Sequence, residues 1–278
     1  MDVVPGLTGL DPRHGRLFLV VGVFDGLHRG HAYLLRRLVA EARRRDARPA
    51  VITFDSHPDE VIRGAAPPLL IDPQERLDRL AAAGVEVTVV QHFDRALRET
   101  PYDAFVGRIA ERVGLAGFVM TPDAAFGYER GGTPEALAAL GRRGVSPSST
   151  ITSSSIPPFE VVVVPPYSLA RRQVRSSEIR AAIGGGELAV ARELLGRSHA
   201  VAGDARGANG RLDFPMPVAL PPPGEYRVRV GPRWRTGWHG RVATATIDAD
   251  GMTLDARPAH PTVRVAIDAP AGFGREGS

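Results

Sequence analysis

An α/β fold is predicted, in which a parallel sheet carries helices on both faces and a smaller β domain follows. Three observations predict it. The first two thirds of the chain alternate short apolar, β-rich runs with amphipathic stretches at helical spacing, which is the pattern of strand-helix-strand units. From about residue 190 that texture gives way to short alternating runs separated by turn residues. A length of 278 residues with 43% hydrophobic content is enough for one large core or two ordinary ones.

Taken in order, LFLVVGVF (17–24) reads as a buried strand and HAYLLRRLVAEARRR (31–45) as a helix with apolar positions at helical spacing. PAVITF (49–54) is a second strand. DPQERLDRLAAAG (72–84) is a helix opened by an acidic cap and stopped by glycine, and VEVTVVQHF (85–93) is the next strand. YDAFVGRIAERVG (102–114) reads as a helix, with FVM (118–120) and FEVVVVPP (159–166) as strands. The segment SPSSTITSSSIPP (146–158) is too polar and too rich in Ser and Pro for a core element and reads as a surface loop. EYRVRV, WHGRVATATID, GMTLDAR and TVRVAID are short strands of the smaller domain, and the tail AGFGREGS is expected to fray. In a doubly wound parallel sheet, sites lie at the carboxyl ends of the strands.

Composition excludes several chemistries. There is no cysteine, hence no disulfide, no thiolate catalysis and no Cys-ligated zinc. All 35 basic residues are arginine, so any phosphate held by a cationic side chain is held by Arg or protonated His, and a lysine P-loop is ruled out. The formal charge of +4 is spread in short clusters without interleaved aromatics, which reads as solvated faces and not as a nucleic-acid surface. No apolar run has the length of a membrane span and the N-terminus lacks a signal-peptide pattern, so no membrane partner and a cytoplasmic location are expected. Oligomeric state is not legible.

The stretch GVFDGLHRGH (22–31) stands where a strand passes into a helix. First-turn amides there lack partners and the helix dipole favours an anion, so His28 and His31, with Gly30 allowing close backbone approach, make a phosphate site. Both imidazoles could donate hydrogen bonds to a phosphoryl group gaining charge; read in isolation, the same residues are equally capping or surface histidines. RSSEIRAAI (175–183) places Ser176 and Ser177 before a helix that carries Arg180, which suits a pyrophosphate but is also an ordinary N-cap with Arg180 on a solvated face. Phe54, Phe126 and Tyr128 can flank a flat ligand or pack in the core. Asp55 and His57, in TFDSHP, follow the second strand, and Asp25 either orients its loop or closes a turn with Gly26.

GVFDGLHRGH, VITFDSHPDEVI (51–62) and RSSEIRAAI together resemble the bacterial bifunctional riboflavin kinase/FMN adenylyltransferases, the FAD synthetases of the HxGH nucleotidyltransferase superfamily. The similarity runs in register from about Leu17 to Gly203 and includes LLIDPQERLDRLAAAGVEVTVVQHFD, DAAFGYERGG and GELAVARELLGRSHAVAG. The resemblance implies a Rossmann-like nucleotidyltransferase domain over 1–188 and a shortened, degenerate riboflavin kinase-like β-barrel over 189–278. It implies transfer of AMP from ATP to FMN, giving FAD and pyrophosphate, with Mg2+ as cofactor. His28, His31 and Arg180 then take the catalytic positions. Gly22, Phe24, Asp25, Gly26, Gly30, Ser176 and Ser177 fall in the ATP motifs, and Phe54, Asp55, His57, Asp123, Phe126 and Tyr128 on the flavin side.

Departures are local. Glu178 stands where many relatives have Thr, Thr121-Pro122 replaces a Gly-acidic pair, and Ala124-Ala125 replaces a bulky-basic pair. In DFPMPVAL (213–220), Met216 and Val218 replace the Thr and Asn that surround Mg-ATP in the kinase, and neither supplies a hard oxygen ligand. Riboflavin kinase activity is therefore expected to be lost. The alternatives are transfer to another phosphorylated acceptor, or a catalytically silent paralogue that binds flavin or nucleotide.

Overall fold

Apolar runs buried on both sides organise the first part of the chain. The computed structural model describes residues 1–144, 156–169, 172–205, 210–256 and 258–271. Two units are distinguished, Met1–Phe24 with His31–Pro67 and Leu80–Tyr167, and Asp25–Gly30 with Pro68–Arg79 and Ser168–Ser278. In chain order the elements up to residue 167 are β1 (Asp2–Pro5), β2 (Arg16–Val21), α1 (Arg29–Arg44), β3 (Arg48–Phe54), α2 (Pro58–Arg63) and α3 (Pro73–Ala82). They continue with β4 (Val87–Gln91), α4 (Arg95–Arg98), α5 (Tyr102–Ala110), β5 (Gly114–Met120), α6 (Pro134–Arg143) and β6 (Glu160–Val163).

The first unit holds a parallel six-stranded sheet in the order β1-β4-β3-β2-β5-β6. Consecutive residues Leu17 to Val20 are all buried, as are Pro49 to Phe54, because both faces of a parallel sheet are covered. Leu19, Ile52, Val89 and Phe118 share its core with Phe105 and Ile109 of α5 and Leu137 and Leu140 of α6. In α1, Leu35, Leu38 and Ala42 are buried at helical spacing; the buried Glu41 is met by Arg45 at 2.7 Å, which also reaches Glu160 at 2.5 Å.

The helix predicted over 102–114 ends at Ala110 and the strand predicted at 118–120 begins at Gly114. Pairing with β2 decides this: the register slips between Leu17 and Phe18, a bulge that Gly117 absorbs at φ +148°. A Cβ on Gly117 would stand 2.0 Å from the Glu160 carbonyl oxygen and 2.8 Å from the Phe18 ring. Gly117→Ala should therefore cost about 3 kcal/mol or more, lowering the melting temperature by roughly 6–12 °C in a thermal denaturation. An unchanged transition would mean that β5 and β6 do not approach so closely. Helices α2, α4 and α6 and strand β1 are additional to the predicted elements; α2, α4 and β1 are short, whereas α6 buries Pro134, Leu137, Leu140 and Gly141 at helical spacing. Of the Ser-rich loop expected at 146–158, residues 146–155 lie outside the described residues, as does most of the tail expected to fray.

The second unit contains the hairpin β7 (Ser168–Leu169) and β8 (Arg172–Gln173), then α7 (Ser176–Gly184) and α8 (Leu188–Leu195). Six antiparallel strands follow: β9 (His199–Asp204), β10 (Arg211–Leu212), β11 (Gly224–Gly231), β12 (Arg241–Asp248), β13 (Gly251–Leu254) and β14 (Thr262–Pro270). Their order is β10-β13-β12-β11-β14-β9. An Asp204–Asp213 bridge, with bonds of 2.8 and 2.9 Å, joins the two ends of that sheet into a nearly closed barrel. Alternation in β11 turns Tyr226, Val228 and Val230 into a core shared with Val265, Ile267 and Leu188.

Candidate active site

From β2 the chain proceeds to β3 and β4 on one side of the sheet, then returns to β5 and β6 on the other. The β2/β5 boundary is thus the topological switch point, where strand carboxyl ends leave a crevice. A cavity of about 220 Å3 lies there, lined by Val21, Gly22, Phe24, His31, Thr121, Asp123 to Phe126 and Arg130, among others. The chain leaving β2 is pinned by the Gly22 amide on the Ile52 carbonyl, 3.0 Å, and by the Thr53 hydroxyl donating to the Val23 carbonyl, 3.0 Å. Phe24 sits at φ +55°, an unfavourable conformation for a side chain, and is held there by burial. Its ring lies 5.1 Å from that of His31. Across the cavity, the Thr121 hydroxyl donates to Asp123 Oδ1 at 2.8 Å, and Arg130 donates to the Asp123 carbonyl at 2.9 Å.

In the second unit, residues 25–30 form the loop leading into α1, with Gly26 at φ +81° and Leu27 at φ +38°. Asp25 is buried and holds this loop from two directions. Its Oδ1 accepts the Leu70 amide at 3.0 Å, and its Oδ2 pairs with Arg180, whose Nε also donates to the Pro68 carbonyl at 2.8 Å. Ser176 donates its hydroxyl to the Asp25 carbonyl at 3.0 Å. The start of α7 and the loop before α1 are thus tied together. A Cβ on Gly30 would come within 3.1 Å of the His28 ring and 3.3 Å of the Val174 carbonyl, a tight fit that makes these neighbours shift by a few tenths of an ångström. His28 is buried, and burial followed by repulsion from Arg197 lowers its pKa to about 4. At neutral pH it is a neutral imidazole with one N–H to donate.

The serines differ from expectation. Ser176 and Ser177 are the first two residues of α7 and not its preceding cap; Arg175 occupies the cap position without a side-chain bond. The reason is that Ser176 is recruited to the Asp25 loop, while Ser177 is exposed.

Of the residues expected on the flavin side, Asp123 and Phe126 line the switch-point cavity with His31, Gly22 and Phe24. Phe54, Asp55, His57 and Tyr128 do not. Phe54 packs edge-on against Phe93 at 5.2 Å. Asp55 pairs with His92 at 2.8 Å in a separate groove of about 630 Å3, beside Arg108 and Arg112. His57 caps α2 by accepting the Asp59 amide at 3.1 Å, and Tyr128 is 47% exposed. Sequence reasoning missed Arg130, whose φ of +59° turns it back to Asp123, and Arg197, which binds the loop carbonyls of Gly26 and Leu27. Neither carries a spacing signal, since each acts on residues distant in sequence or through an irregular turn.

The stretch around Met216 and Val218 is zipped to residues 68–70. Leu69 pairs with Val218, its amide donating to the Pro217 carbonyl and its carbonyl accepting the Ala219 amide, each at 2.9 Å. The cavity beside it holds only about 20 Å3 and is lined mainly by apolar side chains. The Asp72 carboxylate on its wall already accepts the amides of Gln74 and Glu75 at 3.0 Å.

Residues 11–178 match the family model described as FAD synthetase. The chain belongs to the FAD synthetase family. Within the family, it is 27% identical over 204 residues to the bifunctional riboflavin kinase/FMN adenylyltransferase of Listeria monocytogenes, covering 71% of this chain and 60% of that one. It is 28% identical over 207 residues to the enzyme of the same description from Escherichia coli strain K12, covering 73% and 62%. This FAD synthetase family member thus spans about three fifths of the length of the curated relatives it matches. A crystal structure of a macrolide-efflux protein from Streptococcus pneumoniae superposes with a TM-score of 0.75 at 21% identity, over 97% of this chain and 89% of the other, which is a likeness of fold. No helix among the described residues is long and apolar enough to cross a membrane.

Proposed function

We propose that this chain is an FMN adenylyltransferase. In the proposed reaction a phosphate oxygen of FMN attacks the α-phosphorus of ATP, a new P–O bond forms, and the bond from that phosphorus to the bridging oxygen breaks to release pyrophosphate. No enzyme nucleophile and no net proton transfer are needed, so catalysis is alignment and charge stabilisation. The observation that carries the reading is the loop Asp25–Gly30, tied to the first turn of α7 and holding a buried, neutral His28. In this reading His28 and His31 donate to phosphate oxygens as negative charge grows on them. Gly26 and Gly30 let the backbone approach, and Ser177 and the remaining Nη1 of Arg180 hold the leaving pyrophosphate. Gly22 and Phe24 border the nucleotide, with Asp123 and Phe126 toward the flavin.

Asp25 acts by fixing Arg180 and the loop and not by touching substrate. In this reading Mg2+ enters as part of the Mg-ATP substrate, carried on its phosphates. The proposed functional division is 1–188 for adenylyl transfer and 189–278 for a kinase-like module that has lost its activity. The small cavity at Met216 and Val218, and the pairing of that stretch with Leu69, support the loss. Incubation with ATP and Mg2+ should convert FMN to FAD and leave riboflavin unphosphorylated, both read by chromatography. FMN formed from riboflavin would refute the loss, and absence of FAD would refute adenylyl transfer. Ala124 and Ala125 in the cavity wall favour, as second reading, another phosphorylated acceptor, which pyrophosphate release with a panel of sugar and polyol phosphates would reveal. Tight ATP binding without turnover would instead mark a silent paralogue.

A further inference from the structure

We infer that Arg197 is a positioning residue for adenylyl transfer, the group that holds the His28 loop in its reactive form. The inference rests on the reading proposed above and extends it to a residue outside the HRGH and SSEIR motifs. Arg197 lies between α8 and β9. Its guanidinium donates to the carbonyls of Gly26 at 2.6 Å, Leu27 at 3.2 Å and Leu195 at 3.4 Å. It therefore pulls two successive loop carbonyls to one side. Because each peptide unit is planar and trans, drawing in those carbonyls turns the amide N–H groups of Leu27 and His28 to the opposite side.

The loop does not take this shape by preference. Leu27 at φ +38° is in a region that branched side chains avoid, so the conformation persists only where its surroundings impose it. Arg197 supplies that constraint with a planar fork that spans two acceptors, which a lysine ammonium reproduces only in part. Its charge has a second consequence. It stands close enough to His28 to disfavour an imidazolium there, while Arg79 and Arg264 repel Arg197 itself and Glu75 and Asp25 attract it. One side chain thereby fixes the direction of the loop amides and adds, after burial, to what keeps the His28 imidazole neutral.

The test compares Arg197→Met and Arg197→Lys with the wild-type full chain. Arg197→Met should lower kcat for FAD formation by about 10²-fold with the KM for ATP changed less than about threefold. Arg197→Lys should recover part of that loss. The His28 imidazole, followed by NMR and assigned with His28→Gln, should titrate near 4 in the wild type and higher in Arg197→Met, still below its ordinary value because burial remains. A wild-type kcat in Arg197→Met overturns the inference. So does a loss of activity that follows a lowered melting temperature while the His28 titration stays unmoved. If the wild type makes no FAD, the adenylyl-transfer reading fails, and the His28 titrations still decide whether Arg197 governs the loop.

Discussion

Alanine at His28 or at His31 should slow FAD formation by about 10³-fold, near the upper end of what one preorganised donor contributes to a charged transition state. The two losses have different origins. His28 is buried in the loop before α1, so in the proposed reaction its truncation would remove a donor from the phosphate charge in a desolvated setting. His31 lines the switch-point cavity with its ring against Phe24, and its loss also frees Phe24 to leave a strained backbone conformation. His28→Ala should thus act on kcat with little change in the KM for ATP, and His31→Ala on both. The pH profile gives an independent check. A histidine already neutral above about pH 4 contributes no acid limb between about pH 5.5 and 8, whereas an imidazolium donor would lose activity as pH rises past 6.5. Steady-state rates across that range decide between them, and variants with undiminished turnover would remove both histidines from the mechanism.

Acidification should destabilise the second unit well before its carboxylates protonate. His28 and His199 both have pKa values lowered to about 4, chiefly by burial, against 6.5 for an unperturbed histidine. His199 donates from Nε2 to the Ala219 carbonyl at 2.7 Å, and its Nδ1 is buried without a hydrogen-bond partner. As pH falls below 6.5, the unfolded chain takes up these protons first and the folded chain does not, so the equilibrium moves toward unfolding. The contribution is fully present above about pH 6.5, declines on the way down, and is exhausted near pH 4. Each histidine accounts for roughly 2 kcal/mol lost by pH 5 and about 3 by pH 4. Urea denaturation at pH 7 and pH 5 should show the loss, and His199→Gln, which keeps a donor but does not titrate, should reduce it by about half. Equal stability at the two pH values would mean that both imidazoles are hydrated in the folded protein.

The sequence by itself determined the layers and the motifs. Buried runs such as Leu17 to Val20 follow from a parallel sheet covered on both faces, and the alternation in β11 from a sheet with one interior face. HRGH before α1 and SSEIR at α7 were legible because their chemistry sits in consecutive residues at a helix start. Only the tertiary structure decided what those residues hold. Arg180 is expected at the phosphates, and folding also commits two of its nitrogens to Asp25 and Pro68, positions more than a hundred residues away in the chain. Asp55 shares its strand end with the sheet's other carboxyl termini but turns to His92, in a groove apart from Asp123 and Phe126. Arg197 and Arg130 lie in stretches that share the family resemblance, yet what they do depends on which carbonyls folding brings within reach. Local pattern reports periodicity and capping, which act over a few residues; hydrogen-bond partners across the chain are fixed by packing, and there the sequence is silent.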